Sequence, residues 1–424
     1  MTATSHATDL DLTRYLRPGD HIIWGQACGE PSTLIETLIA QAEAVGELSA
    51  FAATSFSGVL TIAAADRIGL SSMGAMGALR ALSKVQRLKI IPCHVGQVAP
   101  MIEQRLIGCD VAFVQVSPPD ANGNHSYGLI NDFTQAAVAK ARVVIAEVND
   151  QVPFTHCDAL LPASKIDCAV QVSRPPVEVQ AAPVTETDQA IATMLAAYIE
   201  DGSVLQVGIG AVPDATLRLL TDRRDLGVHS GMIGDGLVDL VEAGVVTNAR
   251  KSVDAGVSIT GALIGTRRLF AFADRNPQLG MRRAGYTHDA AVLAQLDQLV
   301  TINSAVEVDL TGQVNAEQSG DRYFGGTGGQ VDYVRAGARS PGGRSIIALP
   351  ATAKGGRLSR ITARLSGPVT TARSEVDVIV TEFGAAELKG QNLAERTRRL
   401  ITIAHPDFRE ALERDAHVIQ RRGY

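Results

Sequence analysis

Aromatic residues are scarce in this 424-residue chain, at 4% with a single tryptophan, which argues against an aromatic-rich binding face. Positive charge is not in excess either. Lys and Arg number 39 against 45 Asp and Glu, giving a net charge of −6 and a pI near 5.9. No global basic field therefore draws the chain to nucleic acid or to an acidic membrane, and no such partner is expected. An anionic ligand must be held by local Arg, Lys or backbone N–H groups. The five cysteines, Cys28, Cys93, Cys109, Cys157 and Cys168, are odd in number and include no C-x-x-C pair. This is neither a disulfide framework nor a zinc signature; it fits a reducing cytosol, and no metal is expected. The N-terminus has no basic segment followed by an apolar run, so no signal peptide is read. The longest apolar stretch, residues 59–65 with one Thr, falls far short of the ~20 residues that span a bilayer. A cytoplasmic chain is expected.

What the chain has in quantity is glycine, 40 residues, alongside 46% hydrophobic and 20% charged residues. That balance excludes wholesale disorder and points to many tight turns and close backbone approaches. At a prior of ~150 residues per domain the length allows two or three domains. Short apolar runs at 22–24, 90–92, 111–116, 143–148, 204–207, 299–302, 345–349 and 376–380 read as strands. Amphipathic stretches such as 32–44 and 189–200 lie between them. Alternation at this spacing predicts an α/β fold built from βαβ units with largely parallel sheets. Residues 173–188 carry three prolines and end on Thr185, Thr187 and Asp188, a capping-type entry to a helix. They divide the chain into domains at 1–180 and 186–424. Residues 18–31 and 201–213 echo one another: each has a glycine, an apolar strand, a small-residue turn and a proline before a helix. A duplicated α/β domain explains this, and so does chance.

Three glycine loops carry the chemical interest. In the first, a strand through Gln206 runs into Gly208-Ile209-Gly210, and Pro213 suits a first helical turn. Glycines there let a ligand approach, and free N–H groups suit a phosphate or an oxyanion. It is not a Rossmann fingerprint, which needs glycine where Pro213 stands. The second is Gly325-Gly-Thr-Gly328-Gly329-Gln330, and the third joins Lys354 and Gly355 to Gly356 and Arg357. An ordinary βα turn, a flexible surface loop and a solvated basic loop are the plain alternatives. All three are expected at strand ends, where parallel sheets bind ligands. His229 is an acid or base, or a structural histidine. In the first half Glu30 places a carboxylate in a Gly/Pro turn, and Cys28 beside it is a nucleophile or a small packing residue.

Taken in order, several stretches resemble the acetyl-CoA hydrolase/acyl-CoA:carboxylate CoA-transferase family, the type that includes 4-hydroxybutyrate CoA-transferases. They are Ala27-Cys-Gly-Glu-Pro31, Val114-Gln-Val-Ser-Pro-Pro-Asp120, Gly208-Ile-Gly-Ala-Val-Pro213 and Gly326-Thr-Gly-Gly-Gln-Val-Asp332. Further on come Ala353-Lys-Gly-Gly356, Val380-Thr-Glu-Phe-Gly384 and Ala404-His-Pro-Asp-Phe408. The resemblance implies two similar α/β domains with the active site between them. It also implies that coenzyme A, as acyl-CoA substrate, is held mainly by the C-terminal half. The residues expected to hold it are Gln206, Gly208, Ile209, Gly210, Gly328, Gly329, Gln330, Lys354 and Gly355. A homo-oligomer, dimer or tetramer, is expected.

The chain departs from the family at one position. The stretch similar to His229-Ser-Gly-Met232 reads His-Thr/Ser-Glu-Met in the family, and that glutamate is the nucleophile that forms an acyl anhydride and then a glutamyl-CoA thioester. Here Gly231 occupies it, so no covalent intermediate forms at that position. The expected reaction is hydrolysis of an acyl-CoA, at the thioester or at a carbon–carbon bond of a β-oxo acyl-CoA. Gly208 and Gly210 would support the negative oxygen and Glu30, or else His229, would position water. Transfer through another carboxylate and silent CoA binding are the alternatives.

Overall fold

The computed structural model describes residues 3–6, 9–323 and 325–421, so positions 1, 2, 7 and 8 of the N-terminal stretch read above lie outside the described residues. The chain divides into two compact units. The first comprises Met1–Gln180, Gly231–Asp235 and Val257–Asp289, and the second Ala181–Ser230, Gly236–Gly256 and Ala290–Tyr424. Among the described residues no helix is long and apolar enough to cross a membrane.

The first unit is built on a sheet of eight parallel strands. In chain order these are β1 (Ala3–His6), β2 (His21–Trp24), β3 (Ser49–Phe51), β4 (Gly69–Ser72), β5 (Leu88–Ile90), β6 (Val111–Val116), β7 (Val143–Asn149) and β8 (Cys168–Val172). They lie side by side as β1-β8-β7-β6-β2-β3-β4-β5. Every residue of β6 and β7 is buried, as expected where helices cover both faces of a parallel sheet. Helix α1 (Ser32–Val45) buries Leu34, Ile35, Leu38, Ala42 and Val45, one stripe at helical spacing, and ends at Gly46 with φ +107°.

The second unit repeats the plan. Its strands β9 (Val204–Val207), β10 (Gly227–Ser230), β11 (Leu299–Ser304), β12 (Arg344–Ala348), β13 (Val378–Thr381) and β14 (Gly384–Glu387) lie in the order β10-β9-β11-β12-β13-β14. All neighbours are parallel except the edge strand β14, which pairs antiparallel with β13 through a two-residue turn. Helix α2 (Glu186–Ala196) begins with the capping box read from the sequence: Thr185 Oγ1 accepts from Asp188 N, and Asp188 accepts from Thr185 N. Helix α3 (Ala211–Arg218) follows β9 directly, and α4 (Gln330–Arg339) precedes β12. Helix α5 (Leu393–Thr402) packs against β14. Because β9, β11, β12 and β13 are parallel, their carboxyl ends share one edge of the sheet and their amino ends the other.

Candidate functional site

The turn between β9 and α3 is made by Gly208-Ile209-Gly210. Gly210 has φ +121°, a conformation that glycine adopts without strain, and it stands immediately before the helix. A Cβ at Gly208 or Gly210 meets no atom within 4 Å, so the space in front of this turn is open. The N–H groups of Ala211 and Val212, in the first turn of α3, have no intrahelical acceptor. Pro213 lies inside that turn and has no N–H to orphan. The turn thus presents donors and open volume at the carboxyl edge of the sheet, an arrangement suited to an anion or a developing oxyanion. Gln206 is buried on β9, with its Oε1 accepting from Asn303 Nδ2 at 3.0 Å.

The second loop sits differently from the expectation. It follows not a strand of the main sheet but a two-residue strand, Arg322–Tyr323, of a small separate hairpin. Gly328 holds φ +52°, Gly329 caps α4, and Gln330 opens the helix with its Nε2 donating to Thr371 Oγ1 at 3.1 Å. Since α4 leads into the amino end of β12, Gly329 lies toward the carboxyl edge all the same. The third loop is the exposed tip of a hairpin joining Thr352–Ala353 to Leu358–Ser359, not the end of a sheet strand. Lys354 and Gly355 hold φ of +51° and +67° there, and Arg357 Nε donates to Lys354 O.

His229 is fully buried in β10. The next residue, Ser230, donates from Oγ to Val207 O at 3.1 Å and is the last residue of its segment of the second unit. Gly231 begins the 231–235 segment of the first unit, which is laid along residues 261–264. Gly261 N donates to Gly231 O, Ile233 N to Ala262 O and Ile264 N to Ile233 O. Asp235 closes the segment by accepting from Thr266 N and Oγ1 at 2.9 and 2.7 Å.

Glu30 ends a short 3-10 turn (Ala27–Gly29) and is buried to 1% exposure. One oxygen, Oε2, accepts from Phe56 N and Ser57 N at 2.8 and 2.9 Å, so this carboxylate fixes a loop 26 and 27 residues further along the chain. The other, Oε1, is buried with no hydrogen-bonded partner among the described residues. Burial pushes the Glu30 pKa above its ordinary value, opposed by the Ser55 hydroxyl and the Phe56 and Ser57 groups. The neighbouring Cys28 thiol is pushed up to about 12, chiefly by burial, so it is not a thiolate at neutral pH. The sequence reading missed a second buried acid in the same turn region. Asp132 accepts from Gln26 Nε2 and from Phe133 N, and burial raises its pKa.

Comparison with known proteins accounts for the pattern. Residues 7–180 match the acetyl-CoA hydrolase/transferase N-terminal domain, and residues 265–416 match the acetyl-CoA hydrolase/transferase C-terminal domain. The stretch between them holds the Gly208–Gly210 turn, His229 and Gly231. The chain is 44% identical over 328 residues to the 4-hydroxybutyrate coenzyme A transferase of Clostridium kluyveri, covering 77% of this chain and 76% of that one. It is 39% identical over 334 residues to the succinyl-CoA:acetate/propanoyl-CoA:succinate CoA transferase of Fasciola hepatica, covering 78% and 70%. Its fold superposes on the crystal structure of RipA from Yersinia pestis with a TM-score of 0.93, at 33% identity over 98% of both chains. The chain therefore belongs to the acetyl-CoA hydrolase/transferase family of enzymes.

Proposed function

We propose that this enzyme binds an acyl-CoA and delivers its acyl group to water. The observation that carries the reading is Gly231, which we align with the family's glutamyl nucleophile through the His229-Ser-Gly-Met232 stretch and which offers no side chain to acylate. Water would attack the thioester carbonyl, the carbon–sulfur bond would break, and the proton released by water would leave with the CoA thiol. Donors at the Gly208–Gly210 turn would carry the transient negative oxygen, each such donor contributing about 3 kcal/mol. Glu30 is our choice for holding the water. Burial raises its pKa above the ordinary carboxylate value, which makes it the stronger proton acceptor, and its Oε1 is not held by the Phe56 and Ser57 N–H groups. His229 is the second choice. Gln206, the second glycine loop through Gln330, and Lys354 with Gly355 would hold the CoA. We place the protein in the cytoplasm, a reading supported by five cysteines outside any disulfide, and propose that it is a homo-oligomer.

The two curated relatives described above are named as CoA transferases, which favours a second reading in which another carboxylate replaces the lost glutamate. One experiment separates the two. Purified protein is incubated with a panel of acyl-CoAs, with and without acetate, while free thiol and product mass are followed. Thiol release that does not depend on acetate, with the free acid as product, supports hydrolysis; fragments of a β-oxo acyl chain would place the cut at carbon–carbon. Acetyl-CoA formation without net thiol release overturns hydrolysis in favour of transfer. No turnover of any acyl-CoA, with binding retained, overturns both.

A further inference from the structure

At the amino edge of the second unit's sheet lies a recess of about 190 Å³ that the reading above does not use. Arg335 and Arg339 reach it from the carboxyl end of α4, Lys389 from the turn after β14, and Arg396 from the first turns of α5. One acid, Glu375, faces these four cations, and it is already committed to Arg335, with Nε to Oε1 at 2.6 Å. Arg396 is buried to 8% exposure, and no carboxylate pairs with it among the described residues. Its Nε donates to Gln391 O at 3.3 Å, and its Nη1 to Arg373 O at 2.6 Å and Thr311 O at 3.3 Å. Those three carbonyls engage Nε and Nη1. A buried guanidinium without a counter-charge is costly, and Arg373 adds a further positive charge beside it. Burial first, and that neighbour second, push the Arg396 pKa below its ordinary value.

We infer that this recess is a binding site for a phosphate group, either inorganic phosphate or a small phosphate monoester. The fork of Arg339 with the charges of Lys389 and Arg396 is a donor set matched to tetrahedral oxyanions. The volume is below the ~300 Å³ at which drug-sized ligand pockets begin, so a whole nucleotide is too large and a phosphate is not. The site is separate from the glycine loops. Helix α4 carries Gly329 at one end and Arg339 at the other, and its ten residues span about 15 Å.

The test uses the full chain in calorimetric titrations and thermal melts with inorganic phosphate and with glycerol 3-phosphate, against chloride at matched ionic strength. Phosphate should bind and raise the melting midpoint. The double variant Arg339→Ala/Lys389→Ala changes exposed side chains but also removes the bond from Lys389 Nζ to Ala338 O, so each protein's phosphate shift is read against its own midpoint in chloride. The double variant should lose at least about tenfold in phosphate affinity. Arg396→Lys, which keeps the charge but not the guanidinium's reach and geometry, should weaken binding as well. Gly208→Val should leave phosphate binding intact, which separates this site from the proposed CoA loops. A preference for the ester over the free ion would identify the source. Absence of binding at matched ionic strength, or equal affinity in the Arg339→Ala/Lys389→Ala protein, overturns the assignment. Loss in Gly208→Val alone would move the phosphate to the glycine turn and overturn it too.

Discussion

Glu147, on β7, sets one carboxylate oxygen against the amino end of α1, accepting from Thr33 N at 2.9 Å and Leu34 N at 3.2 Å. The residue is fully buried, and burial raises its pKa from 4.5 to about 7, although those two N–H groups and Arg174 oppose the rise. Because the folded value lies above the unfolded one, the native state binds more protons in between. Stability from this group is fully present below pH 4.5 and is lost as pH rises to about 7. Glu147→Gln keeps an acceptor for α1 and removes the ionisation. It should be more stable than the parent at pH 8, by at most about 3 kcal/mol, and equal to it near pH 4.5. Denaturant unfolding at the two pH values checks this; a variant weaker at pH 8 would contradict it. At Gly231 the expectation concerns chemistry. Gly231→Glu should introduce CoA exchange between an acyl-CoA and a free carboxylate and reduce hydrolysis, measured by product mass. A folded, CoA-binding variant without transfer to any acceptor would count against our reading of that position. The residue types at both sites were visible in the sequence, but their surroundings were not. Glu30 grips Phe56 and Ser57, and Glu147 grips residues more than a hundred positions away. Arg396 did leave a trace: it shares a face of α5 with buried Leu400, where an apolar residue would be expected.

Elements were the most legible level. The strands expected at 111–116 and 204–207 are found at those residues, and the capping residues Thr185 and Asp188 were read directly. Long apolar runs and caps are local properties, so they survive folding. The glycine loops were legible as breaks, but their attachment was not. Two-residue hairpin strands such as Arg322–Tyr323 and Thr352–Ala353 have too few residues for any periodicity. The β9–α3 turn gives a clean test because its two glycines differ. Gly208 does not hold a left-handed φ and its Cβ position is open, so Gly208→Val should fold normally and lose CoA affinity by at least about tenfold. Gly210→Val should lose affinity and also about 1 kcal/mol or more of stability, because φ +121° strains a β-branched residue. Calorimetric titration with CoA and thermal melts of both variants measure this. Unchanged CoA affinity in Gly208→Val would remove the turn from the binding site.

For the whole molecule, the cysteine arithmetic has a direct consequence. None of the five cysteines is in a disulfide; Cys28, Cys93, Cys109 and Cys168 are buried, and burial also raises the Cys109 thiol to about 12. A thiol reagent should therefore modify the native protein slowly and count five thiols once it is denatured without reductant. A lower count would reveal a disulfide. Composition and hydrophobic patterning alone determined the class of this protein, an α/β chain of parallel sheets, because parallel strands buried on both faces must be continuous apolar runs. The order of its glycine, proline and charged stretches was sufficient to identify the family. Tertiary structure alone decided that residues 231–235 and 257–289 pack with the N-terminal segment while the residues around them do not. It also decided which acids and arginines are buried, and so which carry shifted proton affinities or uncompensated charge. Contacts of that kind join residues far apart in the chain, and no local pattern encodes them: desolvation depends on everything packed around a group, not on its neighbours in sequence.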